Sequence, residues 1–334
     1  MNRYFFLPIL LLSAGAMAKD LTVAADGTGD FKTVQSAVDA VPANNPDRVV
    51  IHIKPGVYKE KLVVPSEKPF VTFKGEGAKP DDVVLTYDWS ASHRGEDGKP
   101  IGTFNSFATR VVGHDFVAEN VTFENSAGET GQALAMSADG DRLVFRNCRF
   151  LGWQDTLYAN GGRQYYVNCY LEGRVDFIFG SATAVFDHCE IHSKAGGHVT
   201  AASTPQDHPF GYVFLDCKLT GSDVNWQATT RPELLDQPST KPAPKATLGR
   251  PWRPYGAVAY LRCEMGPHIH PRGWDNWRKV ENEKTARYGE YKCTGPGADR
   301  SQRVAWAHEL NDEEAAKYTV QNVLGGDDHW DPTR

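Results

Sequence analysis

Residues 152–180 read GWQDTLYANGGRQYYVNCYLEGRVDFIFG, and two acids within them, Asp155 and Asp176, stand 21 positions apart. The interval recurs in the flanking sequence. Asn147-Cys148, Asn168-Cys169 and His188-Cys189 follow one another at steps of 21 and 20, each inside a short run of β-branched and aromatic residues. A period of this size, with Gly and Asn at the turns, is the signature of stacked coils in a β-solenoid. Residues one coil apart then share a face, about 4.8 Å apart in the hydrogen-bonding direction. Asp155 and Asp176 are therefore expected side by side. Two carboxyls so placed titrate in two steps and hold one proton near neutrality, which reads as a nucleophile beside an acid. Turn capping is the ordinary role of an aspartate. Here Trp153, Gln154 and Tyr158 flank one acid and Phe177, Ile178 and Phe179 follow the other, so solvation is poor at both.

Length and composition bound the rest. The chain has 334 residues, 40% hydrophobic and 23% charged, enough for a sizeable core, and single elongated β domains reach this length. A formal charge of −6 and the lack of a polybasic run argue against a nucleic-acid or anionic-membrane partner. Residues 1–18, MNRYFFLPILLLSAGAMA, place a basic Arg3 before a short apolar core and end on Ala16-Met17-Ala18. This is the pattern of a secretory signal, too short to span a bilayer. A secreted protein, extracellular or periplasmic, with one domain over residues 19–334 and a monomeric state, is the expectation. Five of the six cysteines, Cys148, Cys169, Cys189, Cys217 and Cys263, overlay at one repeat position, with Asn120-Val121 as an earlier member. Free cysteine buries readily, so the ladder reads mostly as small apolar groups pointing inward. Within it, Cys169 with Cys189 is the pair chosen as a candidate disulfide.

Outward from the central repeat, residues 31–41, FKTVQSAVDAV, carry apolar positions at helical spacing ahead of Pro42. A helix there caps the open end of the coils and covers their edge strands. Strand-like runs recur at 70–74, 83–87, 108–112, 116–124, 142–150, 164–171, 184–191, 212–219 and 257–264. Residues 90–101, rich in Gly and charge, read as a surface loop, and the proline-containing stretch 223–246 reads as a long irregular excursion of the kind that walls a cleft. Asn311 followed by three acids opens a helix that closes near Gly325 and packs back on the coils.

Three further groups bear on the chemistry. Gln132 lies 23 positions before Asp155, about one coil away, and Gln154 precedes Asp155. Their amides supply N–H donors without acid–base chemistry, which suits a developing oxyanion. Arg250 offers a planar fork that holds a carboxylate ionised. The segments carrying these residues are GVYKE at 56–60, GQA at 131–133, GWQDTL at 152–157, GRVDFIFG at 173–180 and LGRPW at 248–252. In this order they resemble the signature segments of the pectin methylesterases, and the similarity runs from GTGDF near residue 29 to YTVQNVL near residue 320.

That resemblance implies an all-β, right-handed parallel β-helix that hydrolyses galacturonate methyl esters of pectin to free carboxylate and methanol, with no metal or other cofactor. It implies Asp176 as nucleophile, Asp155 as acid and then base, Gln154 as oxyanion stabiliser and Gln132 as a contact to oxyanion and substrate. It further implies that Arg250 orients Asp176, that Phe179, Trp252 and Trp277 line sugar subsites, and that Thr103 touches substrate. Two rivals remain. A retaining glycoside hydrolase also uses two carboxylates about 5 Å apart, and a non-catalytic solenoid binds polysaccharide without turnover. The glutamines and Arg250 favour an oxyanion over an oxocarbenium ion.

Overall fold

The structure is a computed structural model that describes residues 20–222 and 245–334. The export signal read at 1–18 and all but the end of the 223–246 excursion lie outside the described residues. Three strips of parallel strands stack along one axis. One strip is an eleven-stranded sheet running in sequence order from Leu21–Val23 to His308–Glu309. The other two belong to a thirteen-stranded sheet and are joined where Tyr170–Gly180 and Glu190–Ala202 each run unbroken from one strip around into the next. Every ladder is parallel, so the chain climbs one rung per coil.

Side chains that stack in register fill the interior. Phe145, Tyr166, Phe186, Phe214 and Tyr260 occupy successive rungs of the eleven-stranded sheet with ring centroids 4.8, 4.6, 4.6 and 4.4 Å apart and nearly parallel planes. This equals the strand spacing, so each ring lies flat on the one below. The two tyrosine hydroxyls of this stack are satisfied inside: Tyr166 donates to Gln164 Oε1 and Tyr260 to the Leu248 carbonyl.

The cysteine position is a corner. The residue ahead of it is left-handed in each coil from Asn120 onward: Asn120, Asn147, Asn168, His188, Asp216, Arg262 and Lys292 all have φ between 46° and 57°. Each run read as one strand across this position is therefore two strands meeting at a bend, as in Leu143–Arg146 and Arg149–Leu151. Asn accepts that backbone most readily, which explains its recurrence. The sixth cysteine, Cys293 after Lys292, joins the ladder. No bond joins Cys169 to Cys189, correcting the candidate disulfide: all six thiols are free. Each Sγ instead donates to carbonyls, as Cys169 does to Phe145 and Cys189 to Tyr166, and the Cys169 N–H points at Cys189 Sγ.

The amino-terminal helix is Val34–Ala40, shorter than the 31–41 expected because Phe31 bridges to Val23. Thr33 caps it, and Glu60 accepts the Val34 and Gln35 N–H groups at 2.8 and 2.9 Å. Gln35 closes the strand edge by exchanging hydrogen bonds with both backbone groups of Val63. The expected carboxyl-terminal helix is two short ones, Asp312–Ala315 and Val320–Leu324. Asn311 and Glu314 form a capping box at the first, and Thr319 caps the second, so the pattern restarts where one helix was expected. Both pack through Ala315, Val323 and Leu324 onto the outer face of the eleven-stranded sheet.

Candidate active site

The acids sit at distortions in the ladder. Gln132 pairs with Gln154 and Gln154 with Val175, which sets Asp155 and Asp176 on adjacent rungs, with the Asp155 N–H donating to the Val175 carbonyl. Between Val175–His198 and Ile178–Thr200 the register slips, so that Asp176 and Phe177 face the single residue Val199. This bulge re-aims the side chains. Phe177 turns into the core, fully buried, while Asp176 turns to the outside. Both acids are left-handed, Asp155 at φ 64° and Asp176 at φ 52°, a backbone cost that persists only where the surroundings over-determine it. Gly173 makes the room: a Cβ there would stand 2.2 Å from the Phe177 Cβ.

One cavity of about 230 Å³ collects Thr103, Gln132, Gln154, Asp155, Asp176, Phe179, Arg250, Trp252 and Trp277, every residue the sequence pointed to. It also takes in two residues the sequence reading did not name as site residues, Phe104 and Ala201. Phe104 follows Thr103 in the short 3-10 turn that ends the 90–101 loop, and it stays 48% exposed over Tyr158 and Trp252. That loop is pinned to the site by the Ala91 N–H on the Gln132 carbonyl. The signal for Phe104 was present in Gly102-Thr103-Phe104: a large aromatic with no apolar neighbours to bury it. Ala201 is simply the rung between Phe179 and Arg250.

The two carboxyls are 7% and 6% exposed, yet they differ in their partners. Arg250 forks onto Asp176, with Nε 2.9 Å from Oδ1 and Nη2 2.7 Å from Oδ2. The guanidinium also lies 3.8 Å from the centre of the Trp277 ring, which holds its plane. No guanidinium or ammonium bonds to Asp155 among the described residues. Burial, and then the charge of Asp176, push the Asp155 carboxyl well above the usual carboxylate range. Burial raises Asp176 too, and Arg250 opposes that rise. Both acids are thus pushed toward the neutral form, and Arg250 leaves Asp176 the readier of the two to ionise.

Phe104, Phe179, Ala201, Trp252 and Trp277 give the cavity its apolar lining, and Phe179 stacks on Tyr158 at 4.6 Å. Rings so arranged suit the C–H faces of a sugar. Among the described residues a trio of possible metal ligands, Asp187, His188 and Asp216, gathers within 4.8 Å at a corner. Its carboxylates are already engaged, Asp216 by the Arg262 fork and Asp187 by the Tyr165 hydroxyl.

A parallel β-helix with a buried aspartate pair, one member clamped by arginine, and two glutamines lining the same cavity is the architecture expected of a carbohydrate-directed hydrolase. The family model described as Pectinesterase matches residues 20–327. Pectinesterase 31 of Arabidopsis thaliana is 43% identical over 315 residues, covering 92% of this chain and 93% of that protein. The structure of pectin methylesterase from carrot superposes with a TM-score of 0.81 at 32% identity, covering 94% of this chain and 95% of that one. A crystal structure of a pectin methylesterase in complex with a hexasaccharide superposes at 0.78 with 29% identity, covering 96% and 100%. This chain belongs to the pectinesterase family.

Proposed function

We propose that the chain hydrolyses the methyl esters of polygalacturonate with Asp176 as nucleophile and Asp155 as general acid and base. The observation that carries the assignment of roles is the two-pronged Arg250–Asp176 contact beside an Asp155 that lacks one. Asp176 attacks the ester carbonyl, and the carbonyl oxygen gathers charge beneath the Gln132 and Gln154 amides. Collapse expels methoxide, which takes the Asp155 proton and leaves as methanol. The ionised Asp155 then removes a proton from water, whose oxygen attacks the anhydride and frees the Asp176 carboxylate. A hydroxyl ends on the substrate carbonyl and Asp155 regains its proton. Phe179, Trp252, Trp277 and Thr103 hold the sugar rings.

Purified protein on highly methylated pectin tests this: methanol and acid appear together with no fall in viscosity. New reducing ends without methanol decide for the glycoside hydrolase reading. Asp176→Ala or Asp155→Ala with unchanged turnover removes the assignment of roles. The export pattern at residues 1–18 supports a secreted protein acting on cell-wall pectin, and among the described residues no helix is long and apolar enough to cross a membrane. One domain from residue 19 onward and a monomer complete the reading, which size-exclusion chromatography with light scattering checks.

A further inference from the structure

Between the strands Val83–Tyr87 and Thr109–Val111 the chain leaves the coils and returns to them. The excursion ends in the 3-10 turn Thr103–Asn105, which brings Thr103 and Phe104 to the catalytic cavity. Phe104 is 48% exposed, with its ring centre 5.1 Å from that of Tyr158 and 6.4 Å from that of Trp252. A ring so little buried loses little by swinging away, so its place over the cleft depends on what holds the turn.

Lys61 holds it. This residue directly precedes the strand Leu62–Val64, whose register on Thr109–Val111 and fully buried Leu62 fix its backbone. Its ammonium donates to the Asn105 carbonyl at 2.7 Å, and the same nitrogen lies 4.2 Å from the centre of the Phe107 ring and 4.5 Å from that of Trp89. Trp89 and Phe107 are the two feet of the excursion, so one cation joins both feet to the turn. No carboxylate pairs with Lys61 among the described residues, and burial lowers its pKa, a cost that a lysine reaching into water avoids. Ring faces and a carbonyl are what answer its charge.

The feet have a second fastening. Asn125 Nδ2 donates to the Trp89 and Ser106 carbonyls at 3.0 and 2.9 Å. The turn does not share it: beyond residues of the excursion itself, Lys61 is the one hydrogen-bond partner of Thr103–Asn105 among the described residues.

We propose that Lys61 is a positioning residue for substrate binding, whose caged ammonium seats Phe104 as a wall of the cavity before a sugar arrives. Binding then needs no further ordering of the turn. Lys61 does not line the cavity and bonds to neither aspartate, so its loss weakens the hold on the polymer and leaves turnover at saturation as it was. This rests on the pectin-ester reading of the cavity.

The test has two arms. In the first, KM and kcat for methanol release from highly methylated pectin are measured for the unaltered protein, Lys61→Met, Lys61→Arg, Phe104→Ala and the double variant Lys61→Met with Phe104→Ala. A ring contact of this kind is worth about a two- to tenfold change in binding. KM is expected to rise by up to that factor in Lys61→Met at unchanged kcat, and to stay near the unaltered value in Lys61→Arg, which keeps a cation over the rings. In the double variant it should be no higher than in Phe104→Ala alone. In the second arm, trypsin is added to the native proteins, and cleavage after Arg94, exposed in the same excursion, should run several-fold faster in Lys61→Met. Lys61→Leu replaces Lys61→Met in both arms if the latter does not fold. An unchanged KM, a fall in kcat, a rise in KM that persists in full without the Phe104 ring, or an unchanged rate at Arg94 overturns the proposal. Unaltered protein that frees no methanol overturns the pectin reading instead, and the trypsin arm then decides by itself whether Lys61 holds the turn.

Discussion

Arg250→Ala removes two charge-assisted hydrogen bonds, of 2.9 and 2.7 Å, from a carboxylate that is only 6% exposed. Breaking a buried pair by deleting one partner costs about 3–5 kcal/mol, because the other charge stays in the interior. The carboxylate relieves that cost by taking a proton. An adjacent guanidinium lowers an aspartate by about 1–3 units, so its loss should raise Asp176 by a similar amount, and each unit corresponds to about 1.4 kcal/mol. In the proposed mechanism Asp176 attacks as the anion. The acid limb of kcat/KM for methanol release therefore moves to higher pH by that amount, and on the limb the rate falls by up to about tenfold for each unit of the rise.

The sign for stability follows. With its native pKa raised further above the unfolded value, Asp176 leaves the variant least impaired below about pH 4 and progressively weaker as pH rises through the new native value. Thermal unfolding between pH 4 and 9, beside the pH–rate profile, measures both effects. Arg250→Lys keeps the charge without the fork and should fall between. An Arg250→Ala profile that loses height while its acid limb stays in place would refute the view that this arginine keeps Asp176 ionised.

Asp155→Asn should lower turnover by about 10²–10⁴-fold, since the leaving methoxide loses its acid. It should also be more thermostable than the unaltered protein as pH rises through the raised native pKa of Asp155, because a neutral amide has no buried charge to form; a stability difference that shrinks with rising pH contradicts this. Phe177→Ala empties a fully buried ring site under the bulge and should cost about 3–5 kcal/mol by denaturant titration. In denaturant without reductant, an aromatic-disulfide reagent should count six thiols, and in native buffer Cys293, the half-buried end of the ladder, should react first.

The coil period made most of this fold legible, because two acids and three X-Cys pairs at steps of 20 and 21 leave few other ways to align. The corners were not legible. A left-handed residue reads clearly when it is Asn147 or Asn168, but Arg262 and Lys292 carry no such preference, and there the coil forces the backbone. The catalytic bulge is of the same kind, since nothing in Val175-Asp176-Phe177 announces a register slip that only the next rung reveals. Arg250 could be placed at the site by its motif, yet its partner lies 74 positions away and is found only once the coils are stacked. Phe104 was passed over because its loop is rich in Gly and charge. The split of the carboxyl-terminal helix was passed over because Thr319 reads as an interior residue until its hydroxyl is seen accepting from Asn322.

The single register row Gln132–Gln154–Val175–His198–Thr247 spans four intervals, roughly 19 Å, and it cannot stretch, since every interval is a hydrogen-bonded step of the backbone. A polymer laid along the stack would meet a fixed yardstick. Oligomers too short to cover it forfeit contacts at one end or the other. Shortening the substrate should therefore weaken binding in discrete decrements, one for each sugar that no longer reaches a rung.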